Sequence, residues 1–510
     1  MKITQFFRKG PVLLKPPLVL VALAAVALPA AERVDTTYTL AQCVEQALQN
    51  HRGRAVSQAG LRVAEAQLGQ ALSARWPEAS LDITAMRRDQ DPNFIFPSNS
   101  FSLGNAAAPL AEAVAATQLA KAGVTPGSVG VGVYNAQLAA ATQAALAQFP
   151  GISIPSQDVK LFDRDTLTST LNVHVPLYTG GKVSAGIRQG QAGVDAAKAR
   201  VRGTELQLVQ DVRHYYYGCV LTRRLLVIGQ EGLDRLQVML ELTERLNRTG
   251  SGRVKRTDYL RSQVVVASVK SLVALLRSNE ELARTALANA MGFGWQVTVA
   301  PADAEIPALD YGGALDELVA RAQSLNPQAL ELGGGLKAAE AGLDRAKGGH
   351  LPVVVLFGTA DRLDNSYHAG LLSEQNRHSW TVGLRVQVPI FSGFRVRHEV
   401  SEAQARKEQL GFQRQLLMEG LGVQVKDACL QIARAVEQTR TTGEALAAAK
   451  ENRELHERAY QEELVDTKDL VEAQLMELFM ASQWQKAKYD AQFHQSQLDH
   501  LIGQTLAEPR

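Results

Sequence analysis

The chain has 510 residues, 54 basic against 52 acidic side chains and a net charge of +2, so no strong field directs it to nucleic acid or to an acidic partner. Its three cysteines, Cys43, Cys219 and Cys429, lack paired spacing, which excludes a disulfide framework and a Cys/His metal site. Aromatic residues make up 6% of the chain, which suits long helices packed side by side better than a globular core.

The amino terminus reads as a secretory signal over residues 1–31. Lys2, Arg8, Lys9 and Lys15 precede an apolar run from Leu18 to Leu28, and small residues follow at Ala27, Ala30 and Ala31. The run is too short to span a bilayer as a helix. Leu40-Ala41-Gln42-Cys43 has only a superficial likeness to a lipoprotein box, because Gln42 is not small and Cys43 sits where a helix should begin.

Beyond the signal the chain is written twice, as residues 32–300 and 301–510. Leu61-Arg62-Val63-Ala64-Glu65-Ala66-Gln67-Leu68 returns as Leu336-Lys337-Ala338-Ala339-Glu340-Ala341-Gly342-Leu343. Each copy runs helix, strand, loop, strand, very long helix, helix, which points to a pseudo-symmetric architecture rather than a single catalytic cleft. The opening helices are expected over about 40–75 and 314–349.

The strands carry the membrane signal. Leu171, Val173, Val175 and Leu177 share one face, with Thr170, Asn172 and His174 on the other. In the second copy Trp380, Val382, Leu384, Val386, Val388 and Ile390 share a face opposite Arg385 and Gln387. This alternation has the length and pattern of a transmembrane β-strand. Leu81, Ile83 and Ala85 give a weaker partner strand. In the fourth, Val353, Val355 and Phe357 alternate but Val354 and Leu356 blur the pattern. Four strands cannot close a barrel, and open edges are forbidden in lipid. Copies must therefore pool strands, eight from two chains or twelve from three, and the arithmetic does not choose between them.

The strand-to-helix junctions also repeat. Pro176, Gly180 and Gly181 in the first copy answer Pro389 and Gly393 in the second. Thr179-Gly180-Gly181-Lys182-Val183-Ser184 resembles a phosphate loop only faintly, since Val follows Lys182 and the upstream glycine is missing. No catalytic constellation, cofactor motif or metal-ligand pattern is legible, and an enzyme is not expected.

From Lys182 to about Asn247, and from Phe394 to about Glu462, the chain is proline-free with a sustained apolar pattern. Each run makes a helix of about 100 Å. The returning helices span about 254–291 and 465–503. Leu226, Leu233, Leu236 and Leu240 form one stripe and Met239, Leu242 and Leu246 a second, so each long helix has two neighbours, as in a palisade of helices around a tube. The tip turns echo one another: Gly252-Arg253-Val254-Lys255-Arg256-Thr257-Asp258 answers Glu463-Leu464-Val465-Asp466-Thr467-Lys468-Asp469.

Together these features resemble the TolC-type outer-membrane efflux and secretion channels, over nearly the whole mature chain. The resemblance implies a mixed α/β membrane protein: a homotrimer with a twelve-stranded outer-membrane β-barrel continued by a long periplasmic α-helical barrel. It implies a passive conduit in outer-membrane lipid of a Gram-negative cell, docked to a periplasmic adaptor and through it to an inner-membrane pump, in efflux or type I secretion. It places a periplasmic gate at Asp469, Glu472 and Tyr460. Adaptor docking falls at Gly252, Arg253, Val254, Asp258, Leu464 and Val465, with Glu463 standing where a glycine is usual. The rival reading is a periplasmic coiled-coil adaptor or scaffold without a pore.

One departure is large. The first hairpin is about 62 residues longer than the second, over roughly 87–165, and is rich in Ala, Gly and Pro. By topology it lies outside the cell. It caps the channel, covers a neighbouring subunit or is an irregular surface loop.

Overall fold

The structure, a computed structural model, describes residues 37–101, 104–148, 152–249, 254–310, 312–365 and 377–504. The expected signal segment and two docking residues, Gly252 and Arg253, lie outside them.

In the first repeat, β1 (Thr37–Tyr38), α1 (Leu40–Asn50), α2 (Arg52–Ser73) and β2 (Glu78–Arg87) lead into the long insertion. This holds β3 (Asn93–Phe96), β4 (Asn99–Phe101), α3 (Gly104–Lys121), α4 (Pro126–Val129), α5 (Val131–Leu146), β5 (Ile152–Ile154) and β6 (Gln157–Lys160). Then come β7 (Asp165–Tyr178), α6 (Lys182–Arg248) and α7 (Arg256–Ala290). The second repeat has β8 (Ala300–Pro301), α8 (Leu315–Leu325), α9 (Pro327–Lys347), β9 (Val353–Asn365), β10 (His378–Gln387), α10 (Arg395–Gln461) and α11 (Thr467–Leu501). The duplication holds to the residue in the long and returning helices: α6 and α10 are 67 residues each, and α7 and α11 are 35 each.

The compact units divide the chain differently from the repeats, and each draws on both copies. One comprises residues up to 60, 198–331 and 415 onward; the other comprises 61–197 and 332–414.

The first unit is helical. Cys43, Val212, Tyr216, Val220, Leu287 and Met291 form one core cluster, and Val425, Ile432, Leu498 and Ile502 another. Cys43 and Cys219 are fully buried there, and burial pushes both thiols up to about 12. Two-residue strands β1 and β8 pair in parallel and tie the start of the first repeat to that of the second.

Neither opening helix is continuous, which corrects the expected 40–75 and 314–349 runs. Both break after eleven residues, at His51 (ψ 126°) and Asn326 (ψ 127°). Pro327 explains the second break, because proline disfavours α geometry in the residue before it. The Asn326 carboxamide oxygen then accepts the Gln328 and Ala329 amides at 2.9 and 3.4 Å. The first break has no proline; there His51 Nδ1 accepts the Gly53 amide at 3.1 Å and replaces the cap.

In the same unit His214 and His500 are held below the usual imidazole range by burial, against an opposing pull from Asp211. His214 Nδ1 lies 2.8 Å from the Tyr489 hydroxyl, joining α6 to α11. A depressed histidine contributes stability above its unfolded pKa of 6.5, and that stability is lost as pH falls. Acidification below about 6.5 is therefore expected to lower the thermal midpoint, followed by helical circular dichroism. His214→Phe should flatten the dependence.

The second unit contains a four-stranded antiparallel sheet in the order β10-β9-β7-β2. Opposed residues share a face, so the register sorts the side chains. Trp380, Val382, Leu384 and Val386 lie opposite Ala360, Gly358, Leu356 and Val354. Leu171, Leu81 and Ile83 continue this face, and its large apolar residues are exposed. The other face carries Asp361, Thr170, Asn172 and Asp82. Thr170 Oγ1 donates to Asp361 Oδ1 at 2.8 Å, and Asn172 Nδ2 donates to Asp82 Oδ2 at 2.8 Å. The blurred β9 pattern resolves here: Val354 and Leu356 belong to the apolar face, while Phe357 lies on the polar one. Phe357 fits because Gly383 opposite has no side chain and the Arg385 guanidinium stacks over its ring at 5.2 Å.

The insertion is structured. β3 pairs with β6 and β4 with β5 as two short antiparallel ladders, and α3 packs against α5.

Candidate gate and docking sites at the helix tips

The tip turns close α6 onto α7 and α10 onto α11. A cluster of Leu233, Leu236, Met239, Val266, Val269, Val273, Tyr460, Leu470 and Val471 joins all four helices near these turns. Val465 packs against it partly buried, whereas Leu464 is 72% exposed. The expected docking residues therefore divide: Leu464 is available to a partner and Val465 anchors the turn. Val254 is buried as well.

Asp258 has a structural duty. Its carboxylate accepts the Lys255 backbone amide at 3.1 Å, which caps α7. Asp466 takes the corresponding cap position of α11 in extended geometry, without a side-chain bond.

Asp469 and Glu472 sit one turn apart at the start of α11. Asp469 is half-buried, and Glu472 is exposed with Lys468 Nζ 3.7 Å away. A carboxylate in a first turn is favoured by the helix dipole. Glu472 is one turn further in and projects into solvent. Tyr460 is not beside them at the surface: it is buried, with its hydroxyl 3.2 Å from Thr467 Oγ1. It braces the turn from beneath.

Glu463 has φ +65°, the left-handed position that closes α10. The Leu464 amide donates to the Ala459 carbonyl at 2.8 Å and the Glu463 amide to Tyr460 at 3.3 Å, a Schellman end that favours glycine. The turn thus keeps its geometry without the usual glycine, at a cost of about 1–2 kcal/mol. Glu463→Gly removes that strain but adds unfolded-state entropy. The expected net gain is about 0.5–1 kcal/mol, read as a shifted urea midpoint.

The strand-to-helix junctions show the same substitution pattern. Gly180 and Gly181 have φ +62° and +78°; their counterparts Gly393 and Phe394 have φ +60° and +62°. A side chain on Gly180 would meet the Gly348 carbonyl at 2.7 Å, whereas Gly181 and Gly393 face open space. Both junctions adopt the left-handed backbone, and in the first copy close packing also excludes a side chain at Gly180. A bulge between Pro176 and Tyr178 ends β7, while Pro389 lies just past β10.

The sequence reading missed an ion-pair network below the tip. Glu477 on α11 is buried, with Arg453 of α10 at 2.5 Å and Arg235 of α6 at 3.7 Å. Arg453 also reaches Glu457 at 2.7 Å. Only the local Arg453/Glu457 spacing was visible in sequence; the link to α11 and α6 is tertiary. Among the described residues no group of three or more His, Cys, Asp or Glu could hold a metal ion.

The sequence matches the outer membrane efflux protein family over residues 96–293 and 316–504. Solved structures share the fold at low identity. The outer membrane protein VceC of Vibrio cholerae is 17% identical, with 91% of this chain and 96% of that chain covered and a TM-score of 0.67. The Campylobacter jejuni CmeC outer membrane channel is 13% identical, covering 91% and 85%, with a TM-score of 0.68. The open-state Neisseria gonorrhoeae MtrE outer membrane channel is 14% identical, covering 91% and 89%, with a TM-score of 0.64. No curated protein matches the chain at a significant level. With both repeats matched, and with a half-apolar sheet that a pore-less scaffold would not need, the chain belongs to the outer membrane efflux protein family and is an efflux channel subunit of the outer membrane.

Proposed function

We propose that three copies of this chain form a passive export conduit: a twelve-stranded barrel in the outer membrane continued by a periplasmic barrel of helices. The observation that carries this is the four-stranded sheet with an exposed apolar face and two edges, β2 and β10. Edge strands in lipid leave backbone groups unpaired at several kcal/mol each, so β2 of one copy pairs with β10 of the next. The helices support the same assembly. On α10, Phe412, Leu416, Val423 and Leu430 are all more than 60% exposed at heptad spacing. On α7, Leu260, Val264, Leu275 and Leu282 are exposed, and one 18-residue window of the helix reaches a mean hydropathy of 1.3. Such stripes need a neighbour.

In this assembly Asp469 and Glu472 form two stacked rings of three carboxylates, and Tyr460 holds the turn that presents them. Leu464, with Val254, Asp258, Val465 and the adjoining Gly252 and Arg253, forms the docking tip for a periplasmic adaptor. The adaptor couples the conduit to an inner-membrane pump that supplies the energy.

Native mass measurement in detergent is expected to give a trimer, and planar bilayers should show a cation-preferring conductance. Asp469→Ala with Glu472→Ala should reduce that preference severalfold with the trimer intact. Unchanged selectivity would remove these rings from the constriction, and a monomer without conductance would overturn the conduit.

A further inference from the structure

We propose that the helical hairpin of α3 and α5 is a self-association surface, and that the three hairpins of one channel pack together as a six-helix collar at its outer mouth. This rests on the trimeric reading above.

The hairpin grows from the membrane sheet. The insertion leaves the end of β2 and returns at the start of β7, on the side away from the long helices. Its root is polar. Lys160 Nζ lies 2.9 Å from Asp91 and also pairs with Asp163, Asn93 Nδ2 donates to Asp158 at 2.7 Å, and Arg87 lies 3.5 Å from Asp165. The helices beyond are different in kind. Across residues 104–148 the only charged side chains are Glu112 and Lys121.

The apolar residues do not all find cover within the hairpin. Ala107, Ala111 and Ala115, spaced one turn apart on α3, are buried, as is Ala145 on α5. These small residues let the two helices approach closely. Leu110 and Val114 form a separate stripe on α3 and are 63% and 39% exposed; Val131 and Val133 of α5 are 64% and 52% exposed. Ala136, Ala139 and Ala140 are exposed on the same helix. A half-uncovered hairpin of this length with only two charges needs a partner in water.

The charge pattern selects that partner. A helix lying on an anionic lipid surface carries a row of Lys or Arg on its polar face, and here Lys121 stands alone. The neighbouring copies are present at fixed number and tethered to the same rim, which raises their local concentration to about the millimolar range. Dimensions agree. At about 4.8 Å per strand and a tilt near 40°, four strands occupy about 25 Å of rim. Two helices side by side are about 20 Å wide, so three hairpins nearly fill the circumference. β2, from which each hairpin departs, is also the edge at which copies meet in the proposed barrel.

The test uses the full-length chain in outer membranes with Cys429→Ser; the other two cysteines are buried. Leu110→Cys and Glu112→Cys are compared with a short bifunctional maleimide. Leu110 lies on the uncovered stripe, and Glu112 is about 200° around α3 from it. Leu110→Cys is expected to give covalent dimer, one link joining two of three copies, at least fivefold above Glu112→Cys. Native mass of the untreated samples reports the trimer separately. An intact trimer without that preference overturns the collar and leaves the trimeric reading standing. A fluorophore attached to the thiol of the Leu110→Cys variant gives the other outcome. Its strong quenching by a lipid-borne quencher, without cross-linking, assigns the face to lipid and also overturns the collar. Absence of a trimer overturns the parent reading and the collar with it.

Discussion

Replacing Glu477 with alanine is expected to be the most damaging single change near the helix tips, at about 1.5–3 kcal/mol. Glu477 lies buried between Arg453 and Arg235, so its loss takes the shared carboxylate from both guanidinium groups and leaves Arg453, with a side chain 14% exposed, to Glu457 and Glu454 on its own helix. The network joins α6, α10 and α11, three of the four helices that meet at the tip cluster. Local separation of the α10–α11 turn rehydrates both cations at less cost than global unfolding. The expected phenotype is therefore a leakier channel as well as a lower unfolding midpoint. Glu477→Gln should do less harm, because the amide keeps the shape and one acceptor. The pairing with Arg453 gives a sharper check. In a double-mutant cycle, Glu477→Ala with Arg453→Ala should be more stable than the sum of the single losses predicts. Additive losses would show that the ion pair is not what holds these helices.

The second large effect concerns the membrane sheet. Leu384→Arg places a charge on the exposed apolar face, opposite Leu356. At the bilayer midplane such a charge costs about 2–4 kcal/mol in each copy, and the proposed barrel carries three. Thr381→Arg lies on the other face, opposite Thr359, and is expected to change stability little while altering conductance. Recovery of folded protein in outer-membrane fractions and a urea titration in lipid vesicles separate the two. Equal losses, or a larger loss for Thr381→Arg, would mean that the lipid and lumen faces are assigned the wrong way round.

The strand faces show how far local pattern carries. Strict alternation in β7 and β10 identified their apolar sides without a structure. The run Val353-Val354-Val355-Leu356-Phe357 is apolar at every position, so no period could orient it. Its direction depends on Gly383 making room for Phe357 on the polar face, a fact about the neighbouring strand. The long helices behaved similarly. Their extents were legible because they contain no proline, and the predicted ends fall within a residue or two of the observed ones. The break before Pro327 was readable in principle from proline geometry. The break at His51 was not, because it depends on a histidine accepting a backbone amide.

The insertion illustrates the opposite error. Ala-, Gly- and Pro-rich composition left an irregular loop open, yet alanine at one-turn spacing packs α3 onto α5. At the tips, the positions of Asp469 and Glu472 followed from the internal repeat and the family likeness. The buried state of Tyr460, the capping role of Asp258 and the strained Glu463 did not.

By itself the sequence determined what depends on local spacing: a duplicated chain, two 67-residue helices, half-apolar strands and the turns that join them. Periodicity records backbone geometry, and backbone hydrogen bonding is local. Tertiary structure alone decided which apolar face stays uncovered, which charges are buried together and which helices meet beneath the tips. Those outcomes depend on segments hundreds of residues apart, such as Arg235 and Glu477, whose juxtaposition leaves no trace in the spacing of either.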